Sequence, residues 1–594
     1  MNKTHALAAA TLVATTMSHA AALFAEYDAP AKALLAKMTL AEKIGQMVQV
    51  DSAALKDKAD VKKYFLGSVL SGGSSNPETG NTAQDWLAFA DEFQAQARQT
   101  RLQVPLIYGI DAVHGHNNID GAVIFPHHIG LGATQDAKLI ERAERVTAEE
   151  VAGTGIRWAF APCVAVPQNA RWGRTYEGYG DNTALVTKLG AAATIGLQGK
   201  KLSADPASVL ACAKHFIGDG GTTDGIDQGD TQCDEATLRQ KFLPPYVAAI
   251  RAGVGSIMVS YNSWNGEKLH GQRHLLTDVL KGELGFQGFL VSDWAAIDQL
   301  NTNDYKNCIE RSINAGLDMI MIPNGPDKPN NYIGFIADLR ALVAEGKVST
   351  ARIDDAVRRI LRIKFALGIF DRTATDPKLT AAVGSPAHRA VARECVRQSL
   401  VLLKNQKQVL PLAKTIRRLA VVGSAADDLG VQCGGWTIDW QGTRGQVTHG
   451  GTTLLAAIRQ TVSPDTEIVF SPDARHLKKT DAVIVAVGEL PYAEMKGDRT
   501  DLSLSAEDGA LIAAAKASGA PVITILFSGR PLLLDSGLKD SDAFVAAWLP
   551  GTEGAGLTDV LFGDYKFTGR LPRQWPATAE PSAKPQFPFN FGLR

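Results

Sequence analysis

The chain has 594 residues, 45% of them hydrophobic and 21% charged, an ordinary globular composition long enough for two or more domains. Its 61 Lys and Arg stand against 62 Asp and Glu, a formal net charge of −1. That balance excludes the one-signed field that draws proteins to nucleic acid or to an anionic membrane surface, and it points to a neutral or small partner.

Residues 1–25 read as a signal peptide: MNKTH carries one Lys, ALAAATLVATTM is a short apolar run, and SHAAALFA supplies small residues for cleavage. The run is too short and Ala-rich to anchor the chain, and no later stretch approaches the roughly 20 apolar residues of a membrane span. An exported protein with no membrane anchor, periplasmic or secreted, is expected.

Residues 26–370 alternate short apolar runs with amphipathic stretches, the pattern of βα units around a parallel sheet, and predict a (β/α)8-type barrel. Candidate strands are 44–50 (IGQMVQV), 104–110 (VPLIYGI), 157–162 (RWAFAP), 209–216 (VLACAKHF), 255–261 (GSIMVSY), 288–293 (GFLVSD) and 317–322 (LDMIMI). Trp86, Phe89, Phe93 and Ala97 recur at helical spacing, as do Leu238, Phe242, Tyr246 and Ile250, while Thr39 with Glu42 fits a capping box. Residues 371–400 open with a stretch rich in Thr, Asp, Pro and Gly and read as a linker. Residues 401–576 hold four further strand-like runs, RLAVVGSA, DAVIVAVGE, PVITILFSG and AFVAAWLPG, and predict a smaller α/β sandwich domain; 577–594 form a Pro-rich, aromatic tail. Cys163, Cys212, Cys233, Cys308, Cys395 and Cys433 are scattered, with no CxxC pair, so spacing alone specifies neither a zinc site nor a disulfide framework.

Several strands of the first block end on a reactive side chain: Asp111 after LIYGI, Lys214 and His215 in ACAKHF, Tyr261 after IMVS and Asp293 after FLVS. In a β/α barrel such ends form the active face, where residues far apart in sequence converge. Singly, each has a structural explanation, as a helix cap, an interior ion pair or a core histidine; their joint placement argues for a site. Two ionised Asp flanked by Lys and His suit glycoside hydrolysis, in which one carboxylate attacks the anomeric carbon and a second carboxyl protonates the leaving oxygen. Asp293 fits the nucleophile and Asp111 a grip on sugar hydroxyls. In the second block, ELPYAEMKGDRTD offers Glu489, Glu494, Asp498 and Asp501, and pattern alone does not choose among them as partner.

The segment VLKGELGFQGFLVSDW at 279–294, with YGIDAVHGHNN, ARWGRTYE, ACAKHFIGDGGT, SYNSWNG, QCGGWTIDWQG, GELPYAEMKGD and FTGRLP, resembles glycoside hydrolase family 3 over nearly the whole chain after the leader. The resemblance is to its two-domain β-glucosidases and β-glucan exohydrolases, with the active site in the interdomain cleft. It implies a retaining, exo-acting hydrolase that releases glucose from β-glucosides or β-linked gluco-oligosaccharides, without cofactor or metal. Asp293 matches the family's nucleophile and Glu494 its acid/base; Asp111, Arg174, Lys214, His215 and Tyr261 match residues that hold the glucosyl unit, and Trp294 and Trp436 two aromatics that sandwich the next sugar. Three positions depart from plant relatives: Gln299 replaces an Arg, Gln228 stands near a Glu position, and Thr175 replaces a disulfide cysteine. Three alternatives stand beside this reading. His114 and His116, spaced as HxH, suggest a metal-dependent barrel hydrolase. A non-catalytic sugar-binding protein is opposed by the intact Asp293 and Glu494 motifs. A β-N-acetylglucosaminidase of the same family would resemble enzymes that generally place their acid/base as a His in the first domain.

Overall fold

The computed structural model describes residues 23–578 and 584–594; the leader expected at 1–25 lies, up to residue 22, outside them. Among the described residues no helix is long and apolar enough to cross a membrane. Eight strands build the barrel of the first domain: β1 (Val48–Asp51), β2 (Ser68–Ser71), β3 (Ile107–Ile110), β4 (Trp158–Ala159), β5 (Leu210–Phe216), β6 (Ser256–Val259), β7 (Phe289–Val291) and β8 (Ile320–Ile322). They pair in parallel in the order β7-β6-β5-β4-β3-β2-β1-β8. The ends approach where Val291 bridges Met319 and the Ser292 N–H donates to Met319 O at 3.0 Å, so the sheet is a nearly closed barrel. Helices cover its outside, which is why strands such as β7 and β8 read as short unbroken apolar runs.

The structure moves some expected boundaries. The 44–50 run starts as helix: Thr39 and Glu42 form the expected capping box, which carries Leu40–Gln46 into a helix before β1 begins at Val48. The strand β2 has no counterpart among the expected runs, because SVLS is half serine. Its polar groups are satisfied inside the barrel, Ser68 Oγ donating to Ile107 O at 2.7 Å and Ser71 Oγ lying 2.8 Å from Tyr108 Oη. The periodic stretch through Leu238 and Ile250 is two helices, Glu235–Lys241 and Pro244–Arg251, since Pro244 and Pro245 have no N–H to continue the first. Within 371–400 lie the helices Pro377–Ala382 and Pro386–Ser399.

The second domain is a six-stranded sheet of β9 (Val401–Asn405), β10 (Arg418–Val422), β11 (Glu467–Ser471), β12 (Ala482–Gly488), β13 (Val522–Phe527) and β14 (Ala543–Trp548). Its order is β9-β14-β13-β12-β10-β11, parallel except for β9. Strand period sorts its residues onto two faces. Leu419, Val421, Ile484, Ile523, Ile525 and Val545 belong to one core, and Ala420, Val422, Val483, Val485, Val522 and Phe544 to another that includes Val113, Ile129 and Tyr176 of the barrel. The second face is therefore the interdomain contact. The C-terminal residues return to this domain, Trp575 bridging Phe587 and the Leu593 N–H donating to Leu402 O at 2.9 Å. All six cysteines are unpaired thiols.

One buried charge ties the barrel's base to its last helix, Thr350–Ala366. Lys364 is fully buried and donates to Gln46 Oε1, Gly67 O and Pro105 O at 2.6 to 2.9 Å, and burial pushes its ammonium well below its ordinary pKa. Lys364→Met keeps the stem but orphans these acceptors, each worth about 1–3 kcal/mol when left unpaired. Urea unfolding should show a loss of about 3 kcal/mol, with an unchanged midpoint counting against this account.

Candidate active site

The C-terminal ends of the barrel strands open into a cavity of about 450 Å³. Asp111 follows β3, Lys214 and His215 belong to β5, and Tyr261 and Asp293 each lie two residues beyond β6 and β7. Arg174 comes from the long β4 loop, at the turn Thr175–Glu177. Trp436 and Glu494 arrive from the second domain. All nine expected residues border this one cavity.

The contacts give each group a state. Lys214 Nζ donates to Asp111 Oδ1 at 2.8 Å, pairing two charges at the cavity floor. Arg174 grips Glu177 through two bonds of 2.9 and 2.8 Å, donates Nη1–H to Glu494 Oε1 at 3.1 Å, and places Nη2 3.2 Å from His215 Nε2. A guanidinium only donates. His215 Nε2 is thus the acceptor, its proton sits on Nδ1, and that N–H faces Asp219 Oδ2 at 3.0 Å. Burial holds the His215 imidazole well below its ordinary pKa, in keeping with the neutral ring.

Asp293 is left half-bonded. Its Oδ1 accepts from the Trp294 N–H at 2.7 Å, while its buried Oδ2 has no hydrogen-bond partner and lies 3.7 Å from His215 Nε2. Burial, opposed by Arg174, pushes this carboxyl up to about 6. Glu494 is pushed further, to about 8, chiefly by burial and with Arg174 opposing. The two carboxyls therefore differ in acidity, and near neutral pH Asp293 is the more readily ionised and Glu494 the more readily protonated.

The four carboxylates of the second-domain loop separate cleanly. Glu489 accepts from Tyr492 Oη at 2.9 Å and from the Gly529 N–H at 3.0 Å, and pairs with Arg530 at 3.1 Å. Asp498 accepts backbone N–H groups of the barrel, Gly173 at 2.7 Å and Asp227 at 2.8 Å. Asp501 is exposed and accepts from the Ser503 N–H. Of the four, Glu494 alone borders the cavity.

The wall holds residues that motif reading passed over. Trp440, Met495 and 72–75 line it, and Glu177 and Asp219 orient Arg174 and His215 from behind. Gly72 and Gly73 pass hard against the indoles: a Cβ on Gly72 would meet Trp294 Cζ3 at 2.4 Å, and one on Gly73 would meet Trp440 Cβ at 2.8 Å. The Gly-Gly pair directly after a strand was the available signal. The two expected aromatics differ in setting, Trp294 being 39% exposed at the mouth and Trp436 6% exposed with Nε1–H donating to Glu177 at 3.2 Å. Gln228 lines the cavity and accepts from Gln299 Nε2 at 3.1 Å, so the two departures form one neutral amide pair. The HxH histidines are engaged elsewhere. His114 Nε2 is 3.1 Å from Trp436 O and its Nδ1 3.0 Å from Phe125 O, while His116 Nε2 bonds Thr154 Oγ1 at 2.8 Å.

The profile of the glycosyl hydrolase family 3 N terminal domain matches residues 39–363, and that of the C-terminal domain matches 400–594. The chain belongs to glycosyl hydrolase family 3. This family 3 chain is 32% identical to a lysosomal beta glucosidase of Dictyostelium discoideum, over 92% of its own length and 72% of the relative. It is 32% identical to a periplasmic beta-glucosidase of Salmonella typhimurium, covering 92% and 74%. The crystal structure of an exo-1,3/1,4-beta-glucanase from a Pseudoalteromonas species superposes with a TM-score of 0.90 at 41% identity, covering 96% of this chain and 74% of that one. The family 3 protein is a glycoside hydrolase.

Because Asp498 docks the Glu494 segment onto the barrel, Asp498→Ala should misplace Glu494 without touching the floor of the cavity. A shift of about 1 Å costs on the order of 10²-fold in rate. In steady-state hydrolysis of an aryl glycoside kcat should fall by about that factor with KM little changed; a pure KM effect would contradict the docking role.

Proposed function

We propose that the protein is a retaining, exo-acting β-glucosidase in which Asp293 is the nucleophile and Glu494 the acid/base. The observation that carries this is the pairing of a buried, unpartnered Asp293 Oδ2 with a protonation-prone Glu494 on the same cavity. Three contacts join them in sequence: Glu494 to Arg174, Arg174 to His215, and His215 to Asp293.

In the first step Asp293 Oδ2 attacks the anomeric carbon, the glycosidic C–O bond breaks, and the Glu494 proton passes to the departing oxygen. In the second, Glu494 takes a proton from water, whose oxygen displaces Asp293 and leaves the product with its original configuration. Asp111 and Lys214 hold the hydroxyls of the unit being released, and His215, engaged by Arg174 and Asp219, lines the cavity beside them. Depth supports exo action: Lys214 is 2% exposed at the floor, while Trp294 at the mouth is 39% exposed. A terminal unit fits the enclosed end, and the next sugar stacks on an indole that does not read one hydroxyl pattern. The activities named for the relatives support β-glucosides and β-1,3/1,4-linked gluco-oligosaccharides as substrates. Export through the N-terminal leader is part of the reading, supported by the leader's composition and by the periplasmic relative; cell fractionation tests it.

Asp293→Ala should abolish hydrolysis of an aryl β-glucoside, and retained turnover would end the proposal. Glu494→Ala should lower kcat/KM by about 10²–10⁴-fold, the usual share of general acid–base catalysis. With an activated aryl glucoside, azide should restore turnover in that variant as a β-glycosyl azide; the α-azide, or no rescue, would reassign Glu494.

The pH profile follows from the same pair. Asp293 must be ionised, so activity rises through its pKa of about 6; Glu494 must be protonated, so activity falls through about 8. A bell-shaped kcat/KM with its plateau between these limbs is expected, and Glu494→Ala should lose the alkaline limb.

A further inference from the structure

The Glu494 segment has a second cavity beside it. This one, of about 610 Å³, is bordered by Tyr492, Lys496 and Gly497, whereas Glu494 and Met495 border the catalytic cavity. The segment is thus a wall shared by two chambers. The second chamber is made by topology. After β10 the chain leaves for β11 on one side of the sheet, and after β12 for β13 on the other. The two departures open a crevice at the carboxyl ends of neighbouring parallel strands, the place where open α/β sheets bind ligands. Ser424 just beyond β10 and Gly488 at the end of β12 line it.

Its chemistry narrows the ligand. Lys496 and Glu507 are exposed and, among the described residues, have no hydrogen-bond or ion-pair partner. Both face this chamber, with Arg444 and Arg499 adding cationic groups and Glu489 and Asp508 anionic ones. An anion would meet the carboxylates and a cation the guanidinium groups. A neutral polyhydroxylated ligand donates to the carboxylates and accepts from the ammonium without leaving charge uncompensated. Leu490, 61% exposed on the rim, offers an apolar contact for the C–H face of a sugar ring.

We propose that the second cavity is a regulatory site for a neutral mono- or oligosaccharide, whose occupancy acts on the Glu494 segment and so on turnover. Binding stands on the cavity alone; the effect on turnover rests on the assignment of Glu494 as acid/base.

The test blocks the catalytic cavity of the full chain with isofagomine and follows glucose binding by saturation-transfer NMR. The blocked protein should still bind glucose, and Lys496→Ala/Glu507→Ala should weaken that binding at least about tenfold, the worth of one lost charge-assisted hydrogen bond. Glu507→Gln, which keeps the shape, should give a smaller loss. In kinetics, glucose should change kcat of the wild type as well as compete with substrate, and should be purely competitive in the double variant. No glucose signal in the blocked protein, equal binding in the double variant, or binding without any change in kcat would each overturn the proposal. If the azide experiment reassigned Glu494 while blocked-enzyme binding and its loss in the double variant were both observed, the catalytic reading would fall and the binding site would stand.

Discussion

The structure depends on how residues 494–499 are fastened to the barrel. Asp498 accepts two barrel N–H groups, the Arg499 N–H donates to Arg171 O, and Arg174 reaches back to Glu494. Behind them Arg530, with no exposed surface, donates to Ala170 O and Arg171 O on one domain and to Gly497 O on the other. Desolvating a guanidinium costs several kcal/mol unless every donor is used. This one donates Nε–H to Tyr492 Oη beside the Glu489 carboxylate and its Nη groups to carbonyls of two different domains, so it favours a single docked arrangement.

That arrangement creates the electrostatics of the cavity. In open water Asp293 and Glu494 would be ordinary carboxylic acids. Closing the second domain over the barrel removes solvent from both, and burial is the leading cause of each upward shift. Arg174 opposes it in both cases, which keeps Asp293 near an acidity where it ionises at neutral pH. The imidazole of His215 stays neutral between Arg174 and Asp219 and accepts a bond from the guanidinium, leaving Asp293 Oδ2 without a hydrogen-bond partner.

Legibility in the sequence followed burial. Strands buried on both faces stand out as apolar runs, as in AVIVAVG of β12; LACAKHF of β5 keeps that signal up to Lys214 and His215 at its cavity end. The strand β2 carries Ser68 and Ser71 inside the barrel, and β11, EIVFS, keeps only its final residue buried. Neither has a continuous apolar signal to find. The 44–50 run misled for the opposite reason: Ile44 is fully buried on a helix that a local cap had already started, and Met47, equally buried, is that helix's C-cap.

By itself the sequence determined the barrel, the α/β second domain and the identity of the reactive side chains at the strand ends, because local periodicity and short-range motifs report local burial and backbone geometry. Pattern alone left four loop carboxylates open and the family resemblance of GELPYAEMKGD singled out Glu494; what the tertiary structure added is that, of the four, Glu494 alone borders the cavity with Asp293. Glu489, Glu494, Asp498 and Asp501 share one short polar loop and look alike in sequence. Glu489 is anchored by Arg530 of its own domain and Asp501 by the neighbouring Ser503 N–H, but the places of Glu494 and Asp498 arise from Arg174, Gly173 and Asp227 of a domain far away in the chain, and no local periodicity encodes such contacts.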